Sequence, residues 1–253
     1  MGYEQRRNIA SHPDPALALA ALAGGVAAAG DPGLALAGWH WGLPLMVASH
    51  ALFMVPVFLP NSRFYAPVLS RLPDVGNSVW LTIDDGPGPE TRAVLDLLDR
   101  HQAHATFFLV GERALAQPEL VQEILHRGHD LGNHSHSHPQ ARFWRLGPAA
   151  MRAEIEGCQH ALQAVSGRPV RWYRSVVGMT NPFVAPVLQR LGLVRVGWSA
   201  RGFDGIGCTA QGVLDRLLPD LRPGPSCCCM RGPPTATTWR SSRACCRHWT
   251  SAG

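Results

Sequence analysis

Asp84 and Asp85 stand side by side in Leu81-Thr82-Ile83-Asp84-Asp85-Gly86-Pro87, and about fifty residues later His134 and His138 stand four apart in Asn133-His134-Ser135-His136-Ser137-His138-Pro139. Adjacent carboxylates at the end of an apolar strand can divide the labour of hydrolysis. One ligates a divalent cation while its neighbour, pointing elsewhere, takes a proton from water. Two histidines complete the protein side of such a shell. A mixed carboxylate and imidazole set with open positions suits a catalytic zinc or a similar divalent metal, which draws the pKa of water toward neutrality.

These residues need a scaffold that brings strand ends together, and the patterning after Pro73 supplies one. Val79–Ile83, Ala105–Val110, His129–Gly132, Val170–Tyr173 and Val194–Trp198 read as short apolar strands. Between them Glu90–His101, Pro118–Arg127, Pro148–Val165, Pro182–Leu191 and Gln211–Leu218 read as helices, the first with Val94, Leu97 and Leu98 on one face. Repeated βα units imply a parallel sheet, open or closed, with active residues at the C-terminal strand ends. Both motifs fall at such ends.

The chain of 253 residues is long enough for one catalytic domain of this α/β class and an appendage. Three segments are expected: an apolar one over 1–72, the catalytic domain over 73–224, and an Arg/Cys-rich tail over 225–253. The apolar segment contains an uncharged stretch from Pro15 to Gly30 and a second from Leu34 to Pro60. The second is long enough to cross a bilayer, which takes about 20 mostly apolar residues, and the first is marginal. One or two transmembrane helices are therefore expected, placing the protein in a membrane. Arg6 and Arg7 also permit a signal-peptide reading, against which the second apolar stretch argues. Those arginines favour a cytoplasmic N-terminus, so one span puts the catalytic domain outside and two put it inside.

The net charge of +5 does not indicate a nucleic-acid partner. Arg231, Arg240, Arg243 and Arg247 lie in an acid-free tail, and without them the balance is about +1. No His-Glu-x-x-His is present, which disfavours a zinc peptidase. Cys158 and Cys208 are isolated and read as buried small hydrophobes, whereas five of the seven cysteines crowd the tail as one consecutive triplet and one pair. Those lack the spaced C-x-x-C form of a metal knuckle.

Taken together, Thr82-Ile83-Asp84-Asp85-Gly86-Pro87 and His134-Ser135-x-x-His138 resemble the first two motifs of the polysaccharide deacetylase family, the NodB-homology domain of carbohydrate esterase family 4, over about Val79 to Gly224. The resemblance implies a distorted, incomplete (β/α) barrel, here preceded by the membrane-associated helical segment. It further implies Asp84 as general base, Asp85, His134 and His138 as ligands of a divalent metal, most simply zinc, and His136 as a variable, non-ligating position. Arg174, in Arg174-Ser175-Val176-Val177-Gly178, sits where the third motif places the arginine that orients the base, although Val176 replaces the usual proline. Trp198 to Asp204 lies where the fourth motif is expected and is divergent, and Trp172 and Trp198 read as core. The implied activity is hydrolysis of an N- or O-acetyl group on a chitin-like or peptidoglycan-type N-acetylglucosamine polysaccharide, in a bacterial inner membrane. A small-molecule amide hydrolase and a glycan-binding descendant without activity are the alternatives.

The family's last motif, a strand ending in Leu-His whose histidine serves as general acid, does not follow Gly224. Pro225-Ser226-Cys227-Cys228-Cys229-Met230-Arg231 stands there instead. The chain has no lysine and is rich in alanine, glycine and proline, as a GC-rich gene produces. In such a gene Cys-Cys-Cys-Met is TGC TGC TGC ATG, and regrouped from the third base of each codon it reads Leu-Leu-His. A single lost base near Gly224 accounts for the tail. The chain as written is then expected to lack both the general acid and one barrel strand.

Overall fold

The computed structural model describes residues 32–71, 79–202, 210–219 and 226–231. The first apolar stretch, Cys208, Asp204 and the rest of the Arg/Cys-rich tail lie outside the described residues. The chain divides into one unit up to Leu52 and a second from Phe53 onward.

Helix α1 spans Pro32–Phe58 and takes up the second apolar stretch as one continuous helix. Its His40–Phe58 portion, 19 residues long and 6% buried, is by length and composition apolar enough to cross a membrane. Within the second unit Thr180 N donates to Val57 O (2.9 Å), Leu69 N to Arg195 O (2.9 Å) and Gly197 N to Leu69 O (2.8 Å).

Seven parallel strands follow: β1 (Val79–Gly86), β2 (Ala105–Leu109), β3 (Asp130–Asn133), β4 (Trp172–Tyr173), β5 (Val194–Arg195), β6 (Ala200–Arg201) and β7 (Ser226–Arg231). Their order is β5-β4-β3-β2-β1-β7-β6. Among the described residues β5 and β6 do not pair, so the barrel is incomplete, as expected. Every residue of β2 is buried, as a central parallel strand with both faces covered requires. The helices α2 (Thr91–Arg100), α3 (Gly111–Ala116), α4 (Pro118–His126), α5 (Pro148–Ser166), α6 (Val184–Leu191) and α7 (Ala210–Leu217) supply the cover. Leu95, Leu97 and Leu98 of α2, Val121 and Ile124 of α4 and Leu162 of α5 meet Phe107 and Leu109 of β2 in the main core. A second cluster joins Met151 and Ile155 of α5 to Tyr173, Val184 and Leu188.

Strand β7 corrects one expectation. Ser226–Arg231 forms the strand thought to be lost, paired in parallel with β1 from Val79↔Ser226 to Asp84↔Arg231 and with β6 at Ala200↔Cys228. The physical reason is that a β-ladder is made of main-chain amides and carbonyls, which cysteine supplies as well as leucine does. The Leu-His ending is still absent, since position 230, opposite Ile83, is methionine.

Candidate metal and base site

The end of β1 departs from regular strand geometry where the chemistry sits. The β1–β2 register shifts between Ile83 and Gly86, and Asp85 takes φ 66°, a left-handed conformation uncommon for a residue with a side chain. That irregularity lets consecutive carboxylates serve different partners. Arg113 of α3 fastens it by donating from Nη1 to the Asp85 carbonyl, and Val110 N donates to Gly86 O at 2.8 Å.

Asp84 goes to Arg174. The guanidinium is fully buried and donates from Nη1 to Asp84 Oδ1 (2.8 Å) and Thr82 Oγ1 (2.7 Å), and from Nη2 to Gly197 O (2.9 Å). Its Cζ lies 4.2 Å from the centroid of the Phe108 ring, which itself lies against the bare Cα of Gly132. Trp198, buried as expected, flanks it at 5.7 Å. Trp172 packs edge-on against Trp80 at 4.9 Å.

Asp85 goes to the histidines. Its Oδ1 lies 3.1 Å from His134 Nε2 and 2.9 Å from His138 Nε2, and the three potential ligand atoms lie within 4.8 Å of one another. His134 Nδ1 lies 2.8 Å from the Arg174 carbonyl, an acceptor only, so Nδ1 carries a proton and Nε2 is the ring nitrogen left facing Asp85. His138 Nε2 is buried and, despite its closeness to Asp85, lacks the alignment of a hydrogen bond. Burial alone would push the Asp85 carboxyl up, but the imidazoles of His134 and His138 outweigh it and hold the group far below the ordinary carboxylate range. Burial opposes charge on His134 as well, yet Asp85, Asp84 and the Arg174 carbonyl raise its pKa. One anionic oxygen and two ring nitrogens aimed at a common point, with an orphaned buried nitrogen among them, fit a divalent cation.

The loop carrying both histidines is strained at Ser135 (φ 68°) and His138 (φ 55°) and is held from all sides. Asn133 Oδ1 accepts from Ser135 N (3.1 Å), Ser135 Oγ from His138 N (3.1 Å), and Gly111 N donates to Ser135 O (3.0 Å). Glu154 of α5 accepts from His136 N (3.0 Å), Ser137 N (2.9 Å) and Ser137 Oγ (2.5 Å). His136 stands apart from the three ligand candidates; its ring lies where a Cβ on Gly111 or Gly157 would stand. Each site residue expected from sequence thus falls at this one end of the sheet: Asp84 with Arg174, and Asp85 with His134 and His138. Thr82, Phe108, Arg113 and Glu154 were missed. Thr82 alone had a signal, its place in the quoted motif; the others act from distant segments.

The polysaccharide deacetylase family profile matches residues 72–196. A chitooligosaccharide deacetylase from Azorhizobium caulinodans is 32% identical over 157 residues, covering 61% of this chain and 74% of the relative. A peptidoglycan-N-acetylglucosamine deacetylase from Bacillus cereus is 33% identical over 149 residues, 58% of this chain and 53% of its own. Among solved structures, a family 4 carbohydrate esterase from Streptomyces lividans in complex with acetate superposes with a TM-score of 0.64 at 27% identity, over 70% of this chain and 90% of that one. With paired carboxylates and paired histidines at the strand ends of an incomplete parallel barrel, and relatives of this closeness over most of their length, the chain belongs to the polysaccharide deacetylase family of hydrolases.

Proposed function

We propose that the chain is a membrane-anchored, metal-dependent deacetylase that removes the acetyl group from an N-acetylglucosamine-type glycan. The observation that carries this is the convergence of Asp85, His134 and His138 within 4.8 Å, beside an Asp84 held by Arg174. Asp85, His134 and His138 would hold the divalent ion, and their mixed oxygen and nitrogen donors suit zinc. When bound, such an ion supplies Lewis acidity toward a water and toward the acetamide carbonyl. Hydrolysis adds water across the carbon–nitrogen bond, yielding acetate and a free amine. Asp84 accepts the proton that water loses, and Arg174 keeps that carboxylate aimed. Thr82 and Phe108 in turn keep Arg174 aimed, while burial of the group excludes competing water.

The anchor rests on α1. Gly42, Pro44 and Pro56 within it are tolerated far better in a membrane helix than in a soluble one. Removal of α1 as a signal peptide would strip partners from the folded unit, because Val57 is buried, Thr180 N donates to Val57 O and Tyr65 Oη donates to Phe53 O (2.6 Å).

The test is metal content measured together with acetate release from chito-oligosaccharides by the full chain. Bound metal with acetate release supports the proposal. A second reading, a glycan-binding descendant, is favoured by one observation: position 230 on β7 carries no histidine to protonate the leaving amine. Bound metal and bound glycan without acetate release would establish that reading instead.

A further inference from the structure

Residues 60–69 precede the stretch that the family profile matches, yet they pair with the main chain that holds Arg174. All of the residues concerned belong to the second unit. Strand β5 ends the sheet, and Leu69 makes a parallel bridge to Val196 just past it. Leu69 N donates to Arg195 O (2.9 Å), and Gly197 N donates to Leu69 O (2.8 Å). Asn61 extends that pairing with its side chain. Its Nδ2 donates to Trp198 O (2.7 Å) and its Oδ1 accepts from Trp198 N (3.3 Å), so one carboxamide meets both main-chain groups of a residue, as a strand neighbour would.

The Arg174 guanidinium uses the same two peptides. Its Nε donates to Val196 O (3.4 Å) and its Nη2 to Gly197 O (2.9 Å), while Nη1 donates to Asp84 Oδ1 (2.8 Å). Val196 O and Gly197 N belong to one planar peptide, and Gly197 O and Trp198 N to the next. Each plane is therefore held at its N–H by residues 60–69, through Leu69 O or Asn61 Oδ1, and at its C=O by Arg174. A rigid guanidinium fork passes any tilt of those planes on to its third partner, Asp84. Two glycines show how closely the segment is drawn in. A Cβ on Gly197 would strike Asn61 Oδ1 and stand 3.0 Å from Val68 Cγ2, and one on Gly178 would stand 2.7 Å from Pro60 Cβ and 2.5 Å from the Trp198 ring. Buried Arg195 fixes the chain on both sides of Asn61, donating to Pro60 O (2.9 Å) and Ser62 O (2.9 Å).

From this we infer that Asn61 is a positioning residue for the proposed base: by fixing the Gly197–Trp198 peptide it sets the direction from which Arg174 holds Asp84. The inference rests on the deacetylase reading and adds to its site a residue from outside the matched stretch. Small displacements matter at such a position, because moving a catalytic group by about 1 Å can cost on the order of 10²-fold in rate.

The full chain in detergent tests it through Asn61→Ala, at an exposed side chain whose loss leaves the core intact. For acetate release from chitotetraose, kcat is expected to fall about tenfold or more while KM stays within about twofold. Zinc affinity in a chelator competition is expected to stay within about threefold of the unaltered chain, because Asp85, His134 and His138 are held through other contacts. In thermal unfolding of the metal-free chain, Asn61→Ala combined with Arg174→Met should lower Tm by less than the sum of the single losses, the shortfall being at least about 2 °C. Arg92→Ala, on the exposed ion pair with Glu123, should instead add to Arg174→Met. An unchanged kcat, a change confined to KM, a parallel loss of zinc affinity, or additive Tm losses for Asn61→Ala and Arg174→Met would overturn the inference. Should the unaltered chain release no acetate, the deacetylase reading fails by itself, and the thermal cycle still decides whether Asn61 and Arg174 act as one unit.

Discussion

Replacing Arg174 with methionine removes the cation from a fully buried site and strands the Asp84 carboxylate beneath it. Arg174 is 0% exposed and Asp84 8% exposed, so water cannot take over the lost partner. Breaking a buried pair from one side costs about 3–5 kcal/mol, because an uncompensated charge stays behind. Thr82 Oγ1 and Gly197 O, which accept at 2.7 and 2.9 Å, lose a donor in the same step. For a domain of this size about 1 kcal/mol moves the midpoint by roughly 2–4 °C, so Arg174→Met should lower Tm by roughly 6–20 °C. The diagnostic is the cycle with Asp84→Asn. If the main cost is a stranded charge, the double variant should lose less than the sum of the single variants by about 1–3 kcal/mol. Thermal unfolding of the metal-free full chain in detergent, followed by near-ultraviolet circular dichroism, reads all four states. Additive losses, or a cost for Arg174→Met below about 1 kcal/mol, would refute the reasoning that the ion pair is buried and coupled.

Three other outcomes are expected. Glu154→Ala frees three hydrogen bonds from the histidine loop and should weaken zinc affinity by about 10–100-fold in a chelator competition, with unchanged affinity counting against a positioning role. Met230→His, at the position opposite Ile83 and next to the Asp84↔Arg231 pair, should raise kcat/KM about 10²–10⁴-fold if the amine lacks its acid, and no gain would show that the acid is not what the chain lacks. His129 is 3% exposed with neither ring nitrogen partnered, and burial, helped by nearby His104, lowers its pKa from 6.5. The unfolded chain therefore binds this proton first on acidification, so the stability contribution is intact above about pH 6.5 and is lost as pH falls below it. His129→Phe should flatten that slope in thermal unfolding scans from pH 7.5 to 5, and an unchanged slope would assign it to other groups.

Strands and helices were legible where apolar residues repeat over several turns, as in α2, α4 and α5. Helix α3 has six residues and β6 has two, too few for a period to register. Strand β4 keeps only Trp172–Tyr173 of the expected Val170–Tyr173, the two residues that pair with β3 and β5. Asp84, Asp85, His134, His138 and Arg174 could be picked out because residue type and spacing limit the chemistry. Their supports could not. Arg113 and Glu154 act on main-chain atoms of segments 28 and 18 residues away, and nothing in an arginine or a glutamate announces such a target. The left-handed backbone at Asp85, Ser135 and His138 is likewise silent, because none of the three is glycine. Strand β7 was misread for the opposite reason: its composition is unusual, while its pairing depends on the main chain alone.

Strand β7 also bears on how the protein comes into being. It is the last of the described strands to be synthesised, yet it lies between β1 and β6. Until it emerges from the ribosome, β1, which carries both aspartates, has an open edge on one side, and β6 has no partner among the described strands. Open edges recruit foreign strands and invite proteolysis in the nascent chain. A ribosome that stops short of Ser226 leaves this edge uncovered, so enclosure of the aspartate-bearing strand waits on the synthesis of β7.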